Sequence, residues 1–100
     1  MIKVNIIKKD DQINKITING HAEYAKYGKD IVCAAVSSIV ITTINAIIRI
    51  DEEVLEYKES DNLEITILKH TEATDILITN MLELLSELEK QYKKNIIINK

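Results

Sequence analysis

Apolar and polar residues alternate from the start of the chain. Ile2, Val4 and Ile6 are interleaved with Lys3 and Asn5, the period of a half-buried strand. The polar run Lys8-Lys9-Asp10-Asp11-Gln12 reads as a turn, and Ile16 and Ile18 then resume the alternation. Asn14 holds an in-phase position and Ile13 an out-of-phase one, so the pattern leaves the start of this second strand open. The two segments form a hairpin ending near Gly20. Residues 21–29 carry no period and read as a loop. Asp30 then offers an N-cap for an apolar segment that runs to about Ile50. Its β-branched residues would also suit a strand, but about 20 residues without Gly or Pro exceed the length of a strand. A helix this apolar must be buried on more than one side, by a sheet on one face and by a second helix or a partner subunit on the rest.

Residues 54–58 and 63–68 give a second hairpin around Glu59-Ser60-Asp61-Asn62. Thr71 or Thr74 can start a second helix, with a stripe of Ile76, Met81, Leu84, Leu85 and Leu88 reaching to about Lys94. Lys90, Lys93 and Lys94 near its end suit the helix dipole. Asn95-Ile96-Ile97-Ile98-Asn99 reads as a closing strand. The order ββαββαβ predicts an α+β two-layer sandwich, a mixed sheet packed by two helices, in a single domain over residues 1–100.

Composition narrows the function. With 46% hydrophobic and 29% charged residues a packed core is expected; Phe and Trp are absent, so that core is aliphatic. The net charge of −3 and the single arginine, Arg49, argue against general binding of a nucleic-acid backbone. One cysteine excludes an internal disulfide and fits a reducing cytoplasm. Residues 1–9 lack the apolar stretch of a signal peptide. Residues 31–48 are uncharged and meet the lower length limit of a membrane span, but Ser37, Ser38, Thr42, Thr43 and Asn45 interrupt them, and the expectation is no membrane.

The chemistry concentrates in residues 19–37, where His21 precedes Cys33 by twelve positions. With Asp30 as N-cap, Cys33 is the third helical residue. Its sulfur then meets free backbone N–H groups and the positive end of the dipole, an environment that favours thiolate and would also hold an oxyanion. His21 follows the strand that ends at Gly20, and a β–loop–α connection brings it to the same end of the sheet as Cys33. That is a nucleophile–base arrangement. His70 fails the same test: the helix descends about 25 Å from Cys33, and two further strands leave His70 at the opposite pole. Each residue also has a plainer reading. Cys33 could be a small core hydrophobe, Asp30 a cap with no role toward His21, Ser37 a helix-surface hydroxyl one turn on, and Tyr24 and Tyr27 loop packing. Zinc-ligand spacing is absent, and a redox thiol would need a resolving cysteine from elsewhere.

Gly20-His21-Ala22, Gly28, Asp30 and the run Val32-Cys33-Ala34-Ala35-Val36-Ser37 resemble the ribosomal-processing cysteine protease family known as Prp. Outside residues 20–37 the resemblance rests on length and hydrophobic pattern. It implies that Cys33 is the nucleophile and His21 the base, with Gly20, Asp30 and Ser37 in support. It also implies that a loop containing Ala22, Tyr24, Tyr27 and Gly28 moves over the cleft to admit a peptide. The implied substrate is the short N-terminal extension of large-subunit ribosomal protein twenty-seven. Homodimers follow from the same likeness; the lone thiol gives the expected cytoplasmic location, and no cofactor is expected. The chain departs from the family in the β-branched richness of residues 38–49 and in having one arginine, so that any family contact made by arginine falls to lysine or is lost. The competing reading is a non-enzymatic ribosome- or RNA-associated module, which salt-dependent RNA affinity without cleavage would favour.

Overall fold

The computed structural model describes residues 1–20 and 29–100, and the side chains of residues 1–20 and 31–100. Its elements are β1 Ile2–Lys9, β2 Gln12–Asn19, α1 Lys29–Ile50, β3 Leu55–Glu59, β4 Leu63–Ile67, α2 Glu72–Gln91 and β5 Ile96–Asn99. This is the expected ββαββαβ order. The sheet runs β3-β4-β2-β1-β5. It is mixed, because β5 lies parallel to β1 while the other neighbours are antiparallel.

The first hairpin closes in two residues, Asp10 (φ 54°) and Asp11 (φ 63°), with Lys9 facing Gln12. Two successive left-handed residues make a type I′ turn, whose twist matches that of the strands. Aspartate tolerates this region, whereas glycine adopts it without steric cost. Asp11→Gly is therefore expected to stabilise the fold by about 0.5 kcal/mol, net of glycine's larger chain entropy, and thermal unfolding will read it as a higher Tm. An unchanged or lower Tm would contradict that account of the turn.

A bulge resolves the phase of the second strand. Ile7 faces Lys15 but Lys8 faces Ile13, so Asn14 is an extra residue on β2. The extra residue shifts the alternation by one. Ile13, opposite Lys8, thereby joins Ile16 and Ile18 on the face that packs the core.

The other sheet face is polar. One row crosses all five strands as Asn99, Asn5, Thr17, Glu64 and Lys58. Asn99 Nδ2 donates to Asn5 Oδ1 at 2.8 Å, and Asn5 Nδ2 to Thr17 Oγ1 at 3.3 Å. Lys15 Nζ meets Glu64 Oε1 at 2.7 Å. That hydrogen bond and the Lys15 charge hold the Glu64 carboxyl below its ordinary value, with Lys58 adding to the effect. A carboxyl lowered in the folded state contributes stability above its unfolded value and loses it as pH falls through the folded value. Glu64→Gln should therefore be slightly less stable than the parent at neutral pH. The gap should close in acid and shrink in high salt; a gap that persists in acid would show that the pair is not its source.

The helices cover the opposite face. α1 buries Val32, Val36, Val40, Thr43, Ile44 and Ile47, a stripe at three- and four-residue spacing. Thr43 Oγ1 donates to the Ile39 carbonyl at 2.8 Å, so the buried hydroxyl of this β-branched segment is satisfied within the helix. Ile31–Ile50 is long and apolar enough to cross a membrane, yet its buried stripe belongs to the protein's own core. The expectation of burial on several sides is met on two: the sheet beneath and α2 alongside. Ile31 and Ile50 remain more than half exposed.

α2 starts at Thr71, the first of the two expected caps, whose Oγ1 accepts from the Thr74 N–H at 3.1 Å. It ends at Gln91, earlier than the expected Lys94. Its stripe also differs from the expectation: Ile78, Met81 and Leu85 are buried, with Leu77, Leu82 and Leu88 partly so, while Ile76 and Leu84 are exposed. The helix has more apolar positions than one face holds, and docking against α1 and β5 selects among them. The buried core is aliphatic throughout, from Ile16 and Ile18 to Met81 and Ile96.

Candidate active site

Strand directions define two poles. At one lie Met1, Gly20, the start of α1, the turn between β3 and β4, and Asn95, whose carbonyl accepts from the Ile2 N–H at 2.8 Å. At the other lie the Asp10-Asp11 turn, the end of α1, and His70.

Gly20 is fixed at the first pole by two constraints. Its φ is +81°, and a Cβ on it would stand 2.7 Å from the Met1 carbonyl oxygen. Only glycine fits a left-handed position pressed against another backbone. The chain therefore leaves β2 beside the first residue of β1, and His21 is the next residue along. His21, Ala22, Tyr24, Tyr27 and Gly28 lie outside the described residues.

α1 begins at Lys29, one residue before the expected cap. Asp30 thus lies inside the first turn and does not serve as the N-cap, and Cys33 is the fifth helical residue, not the third. A two-residue shift of this kind is within the ordinary spread at helix ends. The consequence is modest. Helical Cα–Cβ bonds tilt toward the N-terminus, so a side chain at this position covers the turn before it, where the unpaired N–H groups are.

Cys33 is half-buried and packs against the core cluster. It sits on the helix between fully buried Val32 and Val36 on one side and exposed Ala34 on the other. A cysteine serving only as a core hydrophobe is expected to be enclosed. A thiol at the rim is instead anchored by the core and partly exposed, next to exposed Ala34. Ser37 is likewise half-buried, one turn further along the same side.

His70 is at the far pole, as the chain order requires. Its Nδ1 lies 3.1 Å from Asp75 Oδ1 in the first turn of α2. It borders a cleft of about 220 Å³ with Lys8, Asp11 and Ile78, next to the Asp10-Asp11 turn. The partnership of His70 with Asp75 had no separate signal in the pattern. Among the described residues, no group of His, Cys, Asp and Glu is arranged to hold a metal ion.

The geometry gathers the end of β2, the start of α1 and a rim thiol, all at one pole. Comparison with known proteins agrees with it. The family model for cysteine protease Prp matches residues 1–97. The ribosomal processing cysteine protease Prp of Staphylococcus aureus is 31% identical over 104 residues, covering 99% of this chain and 98% of its own. A crystal structure of the essential S. aureus ribosomal processing protease Prp with a substrate peptide superposes with a TM-score of 0.90 at 29% identity, covering 99% of this chain and 98% of that one. Its complex with a covalently linked product peptide gives 0.87 at 30% identity, with the same coverage. The chain belongs to the Prp family of cysteine proteases.

Proposed function

We propose that this protease removes the N-terminal extension of large-subunit ribosomal protein twenty-seven, with Cys33 as nucleophile and His21 as general base. The observation that carries the reading is the shared pole: a half-buried rim cysteine in the first turns of α1, and a β2 that ends two residues before His21. His21 takes the thiol proton, and the sulfur attacks the scissile carbonyl. The C–N bond breaks, His21 gives its proton to the leaving amine, and a thioester remains. Water activated by the same histidine then hydrolyses the thioester and restores the thiol. Backbone N–H groups of the first helical turn hold the oxyanion in both halves. Gly20 fixes the approach to His21, while Asp30 and Ser37 support the helix start. Ala22, Tyr24, Tyr27 and Gly28 belong to the segment that contacts the peptide.

The protease works as a cytoplasmic homodimer and needs no cofactor. The exposed side of α1, uncharged from Ile31 to Ile48, supports contact with a second copy. The experiment is to incubate the purified protein with the extended ribosomal protein and weigh the products. A single N-terminal truncation, absent with Cys33→Ala, is the expected result. Truncation that survives Cys33→Ala would overturn the assignment.

A further inference from the structure

The two edges of the sheet are finished differently. At the β5 edge the outward N–H groups belong to Ile96 and Ile98, since Ile2 and Val4 pair from the other side. Both are satisfied internally: Ile96 N–H donates to the Tyr92 carbonyl at 3.2 Å, and Ile98 N–H donates to Glu89 Oε2 at 2.8 Å. A side chain from α2 thus caps this edge against another strand. At the β3 edge, the bonds from Leu68 N–H to the Val54 carbonyl and from Ser60 N–H to the Asn62 carbonyl fix the alternation. Even-numbered residues face β4, and the N–H and C=O groups of Leu55 and Tyr57 face outward, where the sheet has no further strand among the described residues. The Tyr57 side chain, on the helix side of the sheet opposite Ile65, is 48% exposed.

This open edge leads toward Cys33. α1 and β3 are joined by the tight turn after Ile50, in which Asp51 N–H donates to the Ile47 carbonyl at 2.9 Å, so the two elements run in opposite directions and Cys33 lies at the pole where β3 ends. Cys33 stands about 25 Å back along α1 from its end, whereas the five residues of β3 advance about 17 Å. Measured along that common direction, an extended chain laid along β3 therefore comes level with the cysteine after two or three more residues.

The geometry points to β3 as a docking strand for the substrate: the extended peptide adds to the sheet by main-chain hydrogen bonds with Leu55 and Tyr57, two to three residues from the scissile bond. The inference rests on the proposed processing activity, which needs a stretch of extended chain held in place. Main-chain pairing supplies that hold with little dependence on side-chain identity.

The test uses two readouts that do not depend on one another. In Cys33→Ala, amide NMR during titration with a synthetic peptide spanning the cleavage junction should move the Leu55 and Tyr57 signals and protect both from exchange at saturation. In the active protein, Tyr57→Pro removes one outward N–H and leaves the β4 ladder whole, and kcat/KM for that peptide should fall about tenfold, the scale of one main-chain bond. Peptides N-methylated two to four residues from the junction should lose a similar factor against the unaltered protein, which covers the case in which Tyr57→Pro does not fold. A saturated complex with unmoved Leu55 and Tyr57 amides overturns the docking strand while leaving the protease reading intact. Failure of the unaltered protein to cleave its ribosomal protein would instead strike at the activity itself.

Discussion

Cys33→Ala is expected to lower kcat for the extended ribosomal protein by at least about 10⁴-fold, the scale on which covalent hydrolases lose activity when the nucleophile is removed. Alanine has nearly the same volume at a site that is only half-buried, so thermal stability should change little. The loss is then chemical and not a matter of folding. His21→Ala should be nearly as damaging at neutral pH but should recover part of its rate as pH rises, because a thiolate formed without the base can still attack. The double variant should be no worse than Cys33→Ala alone, since the two residues act as one unit. Rates measured across pH for all three separate these outcomes. Additive losses in the double variant would mean that His21 does not act through Cys33.

Gly20→Ala has the largest expected structural effect of a single substitution outside the core. A left-handed φ of +81° costs an L-residue about 1–2 kcal/mol. The new Cβ would also stand 2.7 Å from the Met1 carbonyl oxygen, a separation that forces the start of β1 to move. Together these amount to about 2–4 kcal/mol. For a chain of this size the Tm should fall on the order of 10–20 °C. The displaced backbone is the residue before His21, so activity should drop even well below the new Tm. A Tm within a degree or two of the parent would show that Met1 yields freely and that the left-handed conformation is not needed.

Some of this was written locally in the chain. Strict alternation in residues 2–6 and 63–67, a threonine before a five-turn amphipathic segment, and a run without Gly or Pro too long for a strand were each readable, because backbone hydrogen bonding and side-chain period are set by near neighbours. The exclusion of His70 was legible as well, since it needed only the direction of each element. Cys33 was recognisable as a helix-start thiol, and its half-exposed setting at the rim of the core agrees. His21, its proposed base, falls outside the described residues, so its part in the site rests on chain order and family.

Other features needed the tertiary structure. Ile13 joins the core face only because a bulge at Asn14 shifts the alternation, and a bulge depends on the partner strand's register. α2 offers apolar residues at 76, 77, 78, 81, 82, 84, 85 and 88. Periodicity favoured Ile76 and Leu84 along with Met81 and Leu85; docking against α1 and β5 kept Met81 and Leu85 buried but took Ile78 in place of Ile76 and Leu84. The first helical residue moved from Ile31, after the expected cap Asp30, to Lys29 because end residues are held by only part of the hydrogen-bond ladder. The sheet order, with one edge capped by Glu89 and the other open at β3, follows from long-range pairing that no local pattern encodes. The sequence by itself determined the elements, their order and the pole that carries the cysteine. The tertiary structure decided which of several equivalent apolar faces is buried and which strand edge is left open, since those choices depend on contacts between residues far apart in the chain.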